Sequence, residues 1–280
     1  MATDTDARRS SVIATFDRAA AGYDDEALRF FAFAADRLLV HLNPAPGNKI
    51  LDIAAGTGAV ALAAAQAVGP GGRVAAVDLS QAMLARLETK ARALHLDNVD
   101  IHVMDAGALE FRRGYFDHAV CAFGLFFLPD MAAALRDWVR VLKPGGTLAF
   151  SAFGAEAFQP QMKLFFEALA RHGLGPDGNA PIIAAQRLYD PEYCRSLLSD
   201  AGLADAVVHT EQLGYHLKDG REWWTVAWNS ALRGWVERLP AEARAEFQRA
   251  HVAEVDTLKT ANGLWLNVET HFALGRKPPS

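Results

Sequence analysis

One segment, Ile50-Leu51-Asp52-Ile53-Ala54-Ala55-Gly56-Thr57-Gly58-Ala59-Val60-Ala61, constrains the fold more than any other part of the chain. An apolar run of strand length delivers the backbone to Gly56-Thr57-Gly58, and an alanine-rich run with helical spacing follows at once. Glycine there permits a tight turn and lets a ligand approach the backbone without meeting a Cβ. The unpaired N–H groups at the start of the helix face the same space. Such a turn, buried strand to helix, is the opening unit of a parallel sheet covered by helices.

The rhythm continues beyond it. Strand-like runs are Ile50–Ala54, Arg73–Asp78, Val99–Met104, Phe116–Phe123 and Thr147–Ala152, with helix-like segments Gly58–Val68, Ser80–His95 and Asp130–Leu142 between them. Ser80 and Asp130 are suited to cap the second and third of these helices. Strands apolar on both faces and alternating with helices predict an α/β fold with a doubly wound, mostly parallel sheet. Residues 161–172 and 190–201 read as helices, and Ala206–Leu217 as a strand. Trp224, Trp228, Leu232, Trp235 and Leu239 mark one face of a helix ended by Pro240; a second helix covers Ala241–Lys259, and Leu264–Leu274 is extended. The first 45 residues look helical, with Phe30, Phe31, Ala34, Leu38 and Leu42 on one face. Three regions are therefore expected: a helical cap over 1–46, a sheet core over 47–154, and a remainder over 155–280 with a helical insertion at 220–259.

Asp78 lies at the end of the second strand, twenty residues beyond Gly58. A carboxylate there can accept hydrogen bonds from both hydroxyls of a ribose, so the ligand is expected to contain a nucleoside. Two readings of the loop compete. Gly56-x-Gly58-x-x-Ala61 fits the dinucleotide fingerprint of an NAD-dependent oxidoreductase. Asp52-x-Ala54-x-Gly56-x-Gly58 resembles the S-adenosylmethionine (SAM) loop of class I methyltransferases.

Later segments favour the second reading. Val99–Met104 leads into Asp105-Ala106, Phe116–Ala122 follows, and Leu135–Leu148 carries Lys143-Pro144-Gly145-Gly146. Each resembles the corresponding methyltransferase segment, in the family's order. The resemblance implies a Rossmann-like seven-stranded sheet with an antiparallel final strand, and SAM as cofactor. It implies that Asp52 and Ala54 handle the methionine amino group, with Gly56 and Gly58 lining the close approach. Asp78 would hold the ribose, and Asp105 with Ala106 the adenine. Leu79 and Met83 would pack on the adenine ring, while Ala122 and Phe123 would border the sulfonium. Phe16 and Tyr23-Asp24 resemble the N-terminal segment of the ubiquinone/menaquinone-biosynthesis methyltransferases, which implies that Tyr23 touches the methionine end. Phe126-Phe127 departs from that group, which carries Arg-Asn there, and so does the 220–259 insertion.

Composition narrows the acceptor. The net charge is −5, with 51% hydrophobic residues, and no basic run or appended RNA module is visible, which argues against a nucleic-acid partner. Two cysteines cannot build a disulfide framework, so a reducing cytoplasm is expected. No apolar run reaches the ~20 residues of a membrane span, and no signal peptide is apparent. The expected acceptor is thus a small apolar or aromatic metabolite, methylated on O, N or C, with the 220–259 insertion as its lid. No metal site is expected, and a homo-oligomer stays open. Methyl transfer needs alignment more than a nucleophilic side chain; if a base is used, His118, His172, His209, His216, His251 and His271 are candidates, with His251 the one suited to face the cleft. A SAM-binding protein that no longer methylates has the same sequence signature.

Overall fold

The computed structural model describes residues 4–176 and 181–279. Helix α1 (Asp4–Ala19) leads through tight turns to α2 (Phe30–Leu42), which stops where Asn43 adopts the left-handed conformation, φ 48°. Then come β1 (Lys49–Ile53), α3 (Ala59–Val68), β2 (Arg73–Asp78), α4 (Gln81–Ala93), β3 (Val99–Val103) and β4 (Phe116–Ala122). They are followed by α5 (Met131–Val141), β5 (Leu142–Phe153), α6 (Gln161–Ala170), α7 (Pro181–Arg187), α8 (Pro191–Asp200) and β6 (Ala204–Gln212). The chain ends with β7 (Tyr215–Leu217), α9 (Gly220–Trp228), α10 (Arg233–Val236), α11 (Ala241–Asp256), β8 (Leu264–Leu266) and β9 (Glu269–Arg276).

Seven strands form one sheet in the order β3-β2-β1-β4-β5-β9-β6. Pairs from β3 through β5 are parallel, and β9 runs antiparallel between β5 and β6, as in Ser151 opposite Phe272. The expected α/β class and antiparallel final strand are thus present. The chain turns outward one way from β1 and returns to β4 on its other side, which opens a crevice beyond the carboxyl ends of these two strands. Ile50, Leu51, Ala76, Phe116 and Phe150 fill the core at the sheet, and a second apolar cluster joins Phe30, Phe158, Phe165, Trp223 and Phe247. The predicted caps form: Ser80 Oγ accepts from Met83 N–H at 3.2 Å, and Asp130 from Ala133 N–H at 2.8 Å.

Four expected elements are divided or shifted. Ala206–Leu217 is two strands, because Gln212 Oε1 accepts the N–H groups of Gly214 and Val268, each at 2.8 Å, and bends the chain. Leu264–Leu274 breaks at the same level, where Asn267 Oδ1 accepts from Glu269 N–H at 3.0 Å. The released ends pair as a separate two-stranded sheet, β7-β8. The tryptophan helix is also interrupted: α9 ends at Trp228, and Ser230 Oγ accepts from Leu232 N–H at 3.3 Å before α10 begins. Finally, β5 starts at Leu142 rather than Thr147, with Lys143–Gly146 bulging between the pairs Phe116–Leu142 and His118–Thr147.

Candidate active site

At the end of β1, Ala54, Gly56 and Gly58 all take positive φ, at 57°, 54° and 88°. Their duties differ. Gly56 lies on the wall of a cavity of about 360 Å³ beyond β1 and β2, and a Cβ there would meet nothing within 4 Å. This leaves bare backbone facing the space. Gly58 is not on that wall; a Cβ would stand 2.2 Å from Leu87 Cδ1, so this glycine lets α4 pack against the loop. Of the two glycines expected to line the close approach of the ligand, Gly56 borders this cavity and Gly58 does not. Ala54 carries a methyl group in a conformation that favours glycine, and Gly124 makes the room: a Cβ on Gly124 would stand 2.7 Å from the Ala54 methyl and 2.8 Å from Cys121 Sγ.

Three carboxylates sit around the loop in unlike surroundings. Asp78 Oδ2 accepts from Gly56 N–H at 2.9 Å and Oδ1 from Ser80 N–H at 2.8 Å. Burial pushes its pKa up while these donors pull it down, and the balance is upward. Asp105, after β3, accepts from Gly107 N–H at 2.8 Å and pairs with Arg9 of α1 at 2.9 Å. The neighbouring Ala106 carbonyl accepts the Trp138 indole N–H at 2.7 Å, so α5 fixes the loop carrying both residues. Asp52 is 1% exposed within β1; burial drives its pKa up to about 8, and its Oδ2 has no hydrogen-bond partner. Asp78, Asp105, Ala106, Leu79, Met83, Ala54, Ala122, Phe123 and Tyr23 all border the cavity, whereas Asp52 lies beneath it.

A second cavity of about 450 Å³ adjoins the first, with Phe16, Tyr23, Phe123 and Phe127 on the walls of both. Its own wall is aromatic: Phe30, Phe31, Phe126, Phe153, Phe158 and Trp223. Phe123 and Phe158 hold positive φ, at 54° and 62°, and Phe123 stacks on Phe153 at 4.2 Å between ring centres. Two bulky residues in a conformation costing about 1–3 kcal/mol each mark a site whose shape the surroundings enforce. Tyr23 stacks on Phe31 at 4.6 Å, and burial raises the pKa of its phenol. The adjacent Asp24 pins this turn to the glycine loop, accepting from Thr57 Oγ1 at 2.6 Å and Lys90 Nζ at 2.7 Å.

Helix α1 spans both cavities. Val12 borders each, Ser11 and Thr15 face the second, and Ile13 faces the first. Its ties reach the sheet through Asp17, which accepts from Ser80 Oγ at 2.5 Å, and the 220–259 segment through Arg18–Glu237 at 2.6 Å. Sequence reasoning singled out only Phe16 here, because a helix wedged between two partners shows no single apolar face. The tryptophan face is likewise rotated: Trp223 and Trp235 border the second cavity, while Trp224 and Trp228 do not.

His251 does not face the cleft. It is fully buried between Phe165 and Phe247, and its Nε2 accepts the Trp223 indole N–H at 2.9 Å. Burial lowers its pKa to about 4, so it is a neutral core acceptor. His271 is also internal, at 2.8 Å from Thr210 Oγ1. Among the described residues, no histidine borders either cavity and no three His, Cys, Asp or Glu residues are grouped to hold a metal ion. No helix among them is long and apolar enough to cross a membrane.

Residues 50–146 match the methyltransferase-domain family. Over 279 residues the chain is 26% identical to nocamycin O-methyltransferase of Saccharothrix syringae, covering 95% of this chain and 98% of that one. It is 33% identical over 166 residues to the ubiquinone/menaquinone biosynthesis C-methyltransferase of Cronobacter sakazakii, covering 56% and 66% respectively. The crystal structure of the YcgJ protein of Bacillus subtilis has the same fold, with a TM-score of 0.60 at 20% identity over 89% of this chain and 99% of that one. Between the two readings that the glycine loop allowed, these findings select the methyltransferase, and the chain belongs to the class I methyltransferases of small-molecule type, with SAM as its cofactor.

Proposed function

We propose that this enzyme transfers the SAM methyl group to an O, N or C atom of a small apolar or aromatic metabolite held in the aromatic cavity. The observation that carries this reading is the pair of adjoining cavities with a shared wall of Phe16, Tyr23, Phe123 and Phe127. The first has the residues a nucleoside needs: bare backbone at Gly56 and fixed carboxylates at Asp78 and Asp105. In this reading Asp78 accepts from the ribose hydroxyls and Asp105 from the adenine amino group. Leu79 and Met83 pack on the adenine ring, and Ala54 and Tyr23 border the methionine end. Asp52 acts from beneath the loop, where its unpaired oxygen offers an acceptor for the methionine ammonium through an intervening water.

Bound SAM supplies a methyl group on a sulfonium, a good leaving group. The chain's own task is to align the acceptor with that methyl group and keep water away. Phe123, held by Phe153 and by its N–H to the Ser151 carbonyl at 3.1 Å, gives the junction a rigid edge. The 220–259 segment acts as the lid, with Trp223, Val226 and Trp235 on the acceptor side. No histidine or carboxylate among the described residues borders the acceptor cavity, so the acceptor reaches the methyl group already nucleophilic. Incubation with methyl-labelled SAM and a panel of aromatic phenols, acids and amines, followed by mass spectrometry, tests the reading. Label in an aromatic product supports it. SAM binding with no labelled product from any aromatic class would count against methyl transfer in this cavity.

A further inference from the structure

The aromatic cavity carries positive charge with no carboxylate on its own wall among the described residues. Arg8 of α1, which also lies on the wall of the first cavity with Asp78, Asp105 and Asp130, and Arg238, just after α10, both border it. The neighbouring arginines are all matched: Arg9 with Asp105, and Arg18 and Arg233 with Glu237. Neither Arg8 nor Arg238 has an ion-pair partner among the described residues. The Nε atom of Arg8 is buried without a hydrogen-bond partner, and Arg238 rests its guanidinium 4.8 Å over the Trp235 ring. Arg238 is exposed and keeps its water, whereas the buried Arg8 Nε has lost its own; an anion, for which the paired N–H groups of a guanidinium are shaped, satisfies both. Bound SAM adds a further cation, the sulfonium, next door, and an anionic acceptor balances it.

We propose, on the reading of this cavity as the acceptor site, that the acceptor is an aromatic organic anion whose acidic group is recognised by Arg8 and Arg238. The phenyl walls take the rings and the two arginines take the charge. The two residues thereby set specificity for acids over neutral aromatics of the same shape.

The test uses the full chain saturated with S-adenosylhomocysteine and two isosteric probes, 2-naphthoate and 2-naphthamide. Binding is followed by quenching of Trp223 and Trp235 fluorescence and checked by calorimetry. The acid should bind at least about tenfold more tightly than the amide, the usual advantage of a charge-assisted hydrogen bond. In the Arg8→Gln/Arg238→Gln double variant the ratio should fall to within about twofold, while amide affinity stays within about twofold of the parent's, which shows the cavity still folded. Equal affinities in the parent overturn the proposal and leave the acceptor reading standing. A preference for the acid that survives in the double variant overturns the assignment to these arginines. Binding of neither probe, with S-adenosylhomocysteine still bound, overturns the acceptor reading and this proposal together.

Discussion

Ala54→Gly should stabilise this protein, against the usual rule that glycine weakens a fold. Ala54 sits at φ 57°, and an L-residue there costs about 1–2 kcal/mol relative to glycine. The extra freedom of glycine in the unfolded chain returns about 0.5–1 kcal/mol of that. The net gain is about 0.5–1 kcal/mol, or a rise in Tm of about 1–4 °C for a domain of this size. Gly124 supplies the second leg of the argument. A Cβ there would stand 2.7 Å from the Ala54 methyl and 2.8 Å from Cys121 Sγ, so Gly124→Ala overpacks the turn. That should cost about 1–3 kcal/mol. In the Ala54→Gly background one of the two collisions is gone, and the cost of Gly124→Ala should fall by about 0.5–1.5 kcal/mol. Urea unfolding of the parent, both single variants and the double variant, followed by tryptophan fluorescence without SAM, measures all four corners. Destabilisation by Ala54→Gly, or an equal cost of Gly124→Ala in both backgrounds, would refute the reasoning.

Other outcomes follow from the same geometry. Arg9 occupies the Asp105 oxygen that adenine is proposed to use, and the pair is half-exposed, worth about 0.2–1 kcal/mol; Arg9→Met should tighten SAM binding by up to about fivefold in calorimetry, and weaker binding would contradict the competition. Asp52 has a folded-state pKa raised from 3.8 to about 8, so its contribution is fully favourable below pH 3.8 and is lost as pH rises towards 8. Asp52→Asn should therefore be more stable than the parent at pH 7, by about 1 kcal/mol or more, with the advantage gone near pH 4, while binding SAM less well; urea midpoints at both pH values, with SAM titrations, check this. His251 has its pKa lowered from 6.5 to about 4, so the stability it confers is present above 6.5 and lost as pH falls towards 4, at up to about 1.4 kcal/mol per pH unit. His251→Gln should flatten that dependence in urea titrations and leave the shape of the methyl-transfer pH profile unchanged; a shifted profile would return His251 to the chemistry.

What was legible in the sequence was local. The strand–glycine–helix unit, the carboxylates at strand ends and the Ser80 and Asp130 caps are written in short windows of residue type and spacing, while the seven-stranded sheet with its antiparallel final strand came with the family resemblance. What was hidden depends on contacts between distant segments. Gly58 looks like Gly56 in sequence, and only Leu87, brought in by α4, separates their duties. His251 lies on a helix whose exposure cannot be read from its own residues; Trp223 and Phe165 decide it. The tryptophan face was read as continuous because its spacing holds across Asn229-Ser230, where Ser230 ends the helix by bonding its neighbour's backbone. The N-terminal helical cap was expected, but the place of α1 at both cavities was hidden, because its ion pairs to Asp105 and Glu237 join residues about a hundred and over two hundred positions away.

A crystal structure of the full chain with S-adenosylhomocysteine tests the central claim most directly. The account predicts ribose hydroxyls on Asp78, the adenine amino group on Asp105 with Arg9 displaced from it, and the sulfur facing the second cavity between Tyr23 and Phe123. Sulfur directed away from that junction, or a bound ligand that leaves Asp78 without a ribose and the Arg9–Asp105 pair intact, would contradict it.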